Sequence, residues 1–300
     1  MKTTTRTMLW IGLLFLIMTA AVVGFSPPGL ADSFSWIRID VPGALATLAA
    51  GINPRGEIIG QYQGEDGAYH GFLLYKGVFT QIDFPGADNS PDNWPVDISP
   101  PGAIVGKYHL DGEGPQCHGY LLDKGMSFTI DPPGSVWTEA AGINPRGEIV
   151  GPYIDAEGYF HGFHLYKGVF TKIDLPGAVH TLVAAINPEG EMVGFYDYDL
   201  SGMSRGFLLS RGRFTTFDFP GALSTYPLGN NSAGEIIGAY LAADGSWHGF
   251  LIYKGAFTTI DPPDSILTFA TGINAAGDIV GYYYDADWVQ HGFVLNRGRR

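Results

Sequence analysis

Six times along this chain a basic side chain and an aspartate mark the two ends of one short pattern. The first instance is "YHGFLLYKGVFTQIDFPG" (69–86), which carries His70 and Asp83. An imidazole beside a carboxylate is the start of many general-base sites, because the carboxylate orients the ring and favours its charged form. The pattern returns with His118 and Asp131, His161 and Asp174, and His248 and Asp261. In another copy Arg205 stands in place of histidine, ahead of Asp218. The last pair is divided between the ends: His291 has no aspartate after it, and Asp40 has no histidine before it.

Each pair flanks two apolar runs joined by a two-residue turn, Lys-Gly or Arg-Gly. Such a turn fixes which residues face each other across the hairpin. With Lys76-Gly77 as the turn, His70 falls opposite Asp83. The same register pairs His118, His161, Arg205 and His248 with their aspartates. Arginine keeps a donor opposite the carboxylate but cannot serve as a general base near neutral pH. A position that exchanges His for Arg and keeps its Asp reads as a cross-strand clamp. An enzyme also needs one site rather than six, so these pairs are expected to be structural and within hydrogen-bonding range.

The elements that position them are repeats. The aspartates fall at 40, 83, 131, 174, 218 and 261, with gaps of 43, 48, 43, 44 and 43 residues. One unit reads as four strands: "TLAAGIN", the turn "NPRG", "EIIGQY", a polar loop, "GFLLY", Lys-Gly, and "VFTQID". Asn first, Pro second and Gly fourth suit a type I turn. Repeats of this length with four strands each predict β-propeller blades. The chain opens on a lone outer strand, "WIRID" (36–40), and finishes on a third strand, "HGFVLNRG" (291–298). Pairing the two would complete the last blade and place His291 opposite Asp40. The expectation is an all-β, six-bladed propeller closed by its N-terminal strand, a ring that hides its strand edges.

"GINPRGEIIGQY...HGFLLY" and "GINPRGEIVGPY...HGFHLY" resemble the HAF repeats of bacterial probable extracellular proteins. The likeness spans residues 36–298, with Gly71 and its equivalents standing where that family has Ala. It implies export and a propeller-like fold, and brings no reaction with it.

Composition agrees with short strands and turns: 43 Gly, 20 Pro, 14% aromatic and 16% charged residues in 300. Lys2 and Arg6, the apolar run 8–25 and the small residues of "SPPGLA" read as a signal peptide over 1–31, ahead of one domain over 32–300. Retention of the segment as an anchor is the alternative. Without it the chain carries 15 basic and 30 acidic groups. So acidic a surface repels nucleic acid and anionic lipid. A secreted, periplasmic or cell-surface monomer is expected. The single cysteine, Cys117, excludes an intrachain disulfide and a multi-cysteine zinc site.

If the repeated residues build the frame, function belongs where the repeats differ. At the start of the first strand one column runs Leu48, Trp94, Glu139, Leu182, Tyr226 and Phe269; two residues earlier another includes Asp92, Trp137 and His180. Asp92, Trp94, Trp137, Glu139, His180 and Tyr226 form the candidate ligand rim, aromatics and acids that suit a glycan, a peptide or a surface protein. Packing between blades is the competing reading of the same column. Asp197, Asp199 and Ser201 match part of a Ca²⁺ loop, which lacks its closing glutamate. No cofactor is otherwise expected. The chain therefore reads as an exported binding or structural module. The alternative is a hydrolase or lyase on polysaccharide using acids at the ring mouth, although no nucleophile, metal or phosphate-loop motif accompanies them.

Overall fold

The structure, a computed structural model, describes residues 34–87, 93–110, 116–199 and 202–297. Residues 1–31, expected to be a signal peptide, and Asp92 and Ser201 lie outside them. Within the described residues there are strands and turns and no helix.

Six antiparallel sheets follow one another, each with four strand positions. In the first blade these are Ala46–Ile52, Ile58–Gln63, Tyr69–Tyr75 and Val78–Gln81. The sixth blade takes its outer strand from the other end of the chain. Phe34–Ile39 pairs with Gln290–Arg297, from Phe34 opposite Arg297 to Ile39 opposite Gly292. The molecule is a six-bladed β-propeller closed by that strand. Only the third blade departs, its inner strand being split into Trp137–Thr138 and Gly142–Ile143.

The local sequence accounts for this geometry. At the outer hairpin turns Lys76 and Gly77 have φ of 49° and 78°, and the four equivalent turns match them. Positive φ at both central residues gives a type I′ turn, whose twist suits the strands it joins. At the inner turn Asn53 Oδ1 accepts from the N–H groups of Arg55 (3.0 Å) and Glu57 (3.1 Å). Its amide then donates to the carbonyl of Ser99 in the next blade (3.3 Å). Asn144, Asn187 and Asn231 repeat that bridge. One buried amide thus closes its own turn and ties two blades together.

The core lies between the sheets. Phe72, Phe163, Phe207, Phe250 and Phe293 are fully buried, with Tyr120 in the equivalent place. Each such ring contributes about 2–3 kcal/mol by leaving water. Opposite it the second strand has glycine, because there is no room for more. A Cβ on Gly60 would lie 1.9 Å from the Leu48 carbonyl and 2.8 Å from the Phe72 ring. Apolar clusters mix residues of neighbouring blades, such as Val280 and Val294 with Ile52 and Phe72 across the closing junction.

Candidate functional site

The paired residues come first. His70 Nδ1 lies 3.3 Å from Asp83, His118 2.7 Å from Asp131, His161 2.9 Å from Asp174, His248 2.8 Å from Asp261 and His291 2.9 Å from Asp40. The exception is ionic and looser, Arg205 reaching Asp218 at 3.8 Å. Two histidines hold a carboxylate on each nitrogen: His161 also meets Asp155 at 2.8 Å, and His291 meets Asp285 at 3.1 Å. The bond to Asp261 raises the pKa of His248 above its ordinary value, against the opposing effect of burial.

A tyrosine that the sequence reading missed completes each clasp. Tyr62, Tyr108, Tyr153, Tyr240 and Tyr283 sit opposite the clasp histidines on the second strand, with ring centroids 5.2–5.4 Å apart. Tyr196 faces Arg205 in the same register. The signal was present in the repeated final Tyr of "EIIGQY", two strands from the aspartate it helps to frame. Repetition in all six blades makes this trio part of the frame.

Three rim residues, Trp94, Trp137 and Glu139, gather on one lysine, while His180 and Tyr226 lie at other junctions. Glu139 turns towards the second blade, where Oε2 meets Lys107 Nζ at 3.0 Å. Lys107, which sequence reasoning also passed over, is only 3% exposed. Its ammonium lies 5.1 Å from the Trp94 ring centroid and 5.2 Å from that of Trp137. Two indoles and a carboxylate thus compensate one buried cation. His180 belongs to the next junction, where its Nδ1 accepts the N–H of Phe160 (3.1 Å). Glu139 and His180 therefore serve different blade contacts and do not converge on one pocket. Tyr226 packs between Phe195 (4.8 Å) and Trp247 (5.3 Å), and Phe269 continues that aromatic row. For Trp137, Glu139, His180 and Tyr226 the packing reading describes the contacts seen.

Two other acids are held by the frame. Asp97 stands in the column otherwise filled by Gly51, Gly142, Ala185, Gly229 and Gly272. Burial pushes its carboxyl up to about 6, against the opposing N–H bonds of Ile143 and Ile98, both 2.8 Å. It pins the third blade beside the split in its inner strand. Asp197 lies opposite His180 in the strand register, and burial raises its carboxyl pKa against the pull of that histidine. Asp199 follows in the next bend. Among the described residues no group of three or more His, Cys, Asp or Glu side chains is placed to hold a metal ion.

Trp94 is different. With Tyr69, Asp83, Asn93, Lys107 and Tyr108 it lines a narrow cleft between the first and second blades. Its indole Nε1 is buried and has no hydrogen-bond partner among the described residues. Asp83, at the edge of the cleft, belongs to the longest of the histidine clasps. There Gln81 Nε2 intervenes, 2.6 Å from Asp83 and 3.0 Å from His70. The cleft joins flat aromatic surface, an unmet N–H donor and a half-exposed carboxylate in one place.

No protein-family model and no curated protein matches the sequence. Solved structures do match in fold. A TolB-like protein from Agrobacterium tumefaciens gives a TM-score of 0.56 at 15% identity, over 84% of this chain and 90% of that one. The Aleuria aurantia lectin in complex with Fucα1-6GlcNAc gives 0.53 at 14% identity, over 85% and 95%. The β-propeller domain of a trilobed protease from Pyrococcus furiosus gives 0.50 at 10% identity, over 84% and 97%. At such identities the likeness shows the propeller fold alone.

Proposed function

We propose that this protein is an exported carbohydrate-binding propeller that takes a neutral glycan in the cleft between its first and second blades. The observation that carries the reading is the Trp94 indole N–H, buried beside the cleft with no partner among the described residues. A buried donor left unpaired costs about 1–3 kcal/mol, which a sugar hydroxyl would recover once the cleft opens enough to admit it. Tyr69 and Trp94 offer aromatic faces to the C–H face of a pyranose, and Asp83 offers an acceptor for its hydroxyls. The excess of acidic groups disfavours anionic polysaccharide. Lectins among the fold's neighbours, crystallised with fucosides, lend support by analogy. The N-terminal segment and the likeness to HAF repeats support a place outside the cytoplasm.

The test is an array of neutral glycans and peptides, followed by titration of Trp94→Phe and Tyr69→Ala. Trp94→Phe keeps the packing and removes the donor. A glycan hit weakened several-fold by this change, about 1 kcal/mol, is the expected result. Binding of peptides and no glycans would refute the reading.

A further inference from the structure

The loop between the second and third strands of the sixth blade carries a tryptophan in a backbone conformation that suits glycine. Trp288 has φ +61°. The equivalent loops of the first, third and fifth blades place Gly67, Gly158 and Gly245 there, at φ 84°, 90° and 88°. The left-handed region brings Cβ against the backbone, and for a bulky side chain it is a genuine outlier.

The hydrogen bonds that close the loop are those of the third blade. The sixth-blade loop closes with Asp285 N–H to the Val289 carbonyl (3.1 Å) and Trp288 N–H to the Asp285 carbonyl (3.0 Å). The third-blade loop makes the same two bonds through Asp155, Tyr159 and Gly158. Asp285 Oδ1 accepts from Asp287 and Val289, both at 2.9 Å, as Asp155 accepts from Glu157 and Tyr159. Both aspartates brace a clasp histidine with their other oxygen. One loop design therefore closes equally well with glycine.

The side chain is half exposed: Trp288 is 53% exposed, next to Val289 at 37%. Its ring lies 6.0 Å from that of Tyr284, which continues the row Tyr282, Phe269 and Trp247 into the sheet. A large aromatic held in a strained, rigid, exposed position is a feature of binding surfaces.

We infer that Trp288 is a stacking platform for a pyranose ring of a neutral glycan, a second subsite on the loop rim. This rests on the carbohydrate-binding reading above. Asp285 and Asp287 lie in the same loop, and their charge disfavours anionic sugars. The row of rings behind Tyr284 keeps the platform from yielding when a sugar lands.

Trp288→Gly separates this role from a structural one, because glycine suits the backbone there. The full chain, Trp288→Gly and Trp94→Phe are each titrated with α-methyl-L-fucoside, methyl β-D-glucoside and methyl α-D-mannoside, and melted in parallel. The expected result for Trp288→Gly is affinity for a bound glycoside lower by about tenfold, as loss of a stacking contact implies. Its Tm should be unchanged or up to about 4 °C higher. Unchanged affinity, or lost affinity with a lowered Tm, would overturn the platform while leaving the cleft standing. If none of the three sugars binds the unmodified chain, the carbohydrate reading falls and the platform with it.

Discussion

His291 is buried and holds Asp40 and Asp285 on its two nitrogens, whereas Arg205 is exposed and meets one carboxylate at 3.8 Å. The same clasp thus carries different weight in different blades. His291→Ala should cost about 1–3 kcal/mol, because it removes the donor between two carboxylates. Arg205→Ala should cost less than about 0.5 kcal/mol, as exposed pairs do. Urea denaturation of both variants checks the order, and equal costs would refute it. The pH dependence has a definite sign. His248 has a raised pKa in the fold, chiefly through its bond to Asp261. Its contribution is fully present below the unfolded value and fades as pH rises through the folded one. The stability lost in His248→Ala should therefore be larger near about pH 5.5 than near about pH 8.5. These pairings were legible in sequence because a two-residue turn leaves no freedom of register. The clasp tyrosines were harder to see, since the loop from strand two to strand three varies in length and hides their register.

At the scale of the element, the third blade shows what repetition conceals. Its inner strand has the same sequence pattern as its neighbours, "WTEAAGIN", yet is split between Thr138 and Gly142. Glu139, inside the interruption, turns to Lys107 of the second blade, while Asp97 grips Ile143 at the far end. The sequence marked Glu139 as an acid at a ring mouth. Its partner came from the strand Ile104–Tyr108, three strands earlier in the chain, so the ion pair was beyond local pattern. Glu139→Ala leaves the Lys107 ammonium buried between two indoles and should destabilise by about 3 kcal/mol. Adding Lys107→Met to it should restore most of that loss, since the buried charge is then gone. A double-mutant cycle in urea reads the coupling, and a double variant no more stable than Glu139→Ala would contradict it.

For the whole molecule, closure depends on one six-residue strand. Phe34–Ile39 covers the edge of Gln290–Arg297 and brings Asp40 to His291. Removing residues 34–40 exposes that edge and opens the junction where Val280 and Val294 pack on Ile52. The truncated protein should lose its single cooperative thermal transition, which calorimetry would show; an unchanged melt would refute the role of the strand. The half-repeats at the two ends made this closure readable beforehand. The cleft was not readable, because its walls come from two blades and its key feature, an indole N–H without a partner, exists only once the chain is folded. The frame and the proposed cleft share Asp83 and Tyr108, and one measurement separates their roles most directly. A glycoside found on the array is titrated calorimetrically against the unmodified chain, the Tyr69→Ala/Trp94→Phe double variant and the clasp variant His248→Ala. The cleft variant should lose binding at nearly unchanged Tm, and the clasp variant should bind normally at a lower Tm. Lost binding in His248→Ala at an unchanged Tm, with the cleft variant unaffected, would mean that the His–Asp pairs are the site after all.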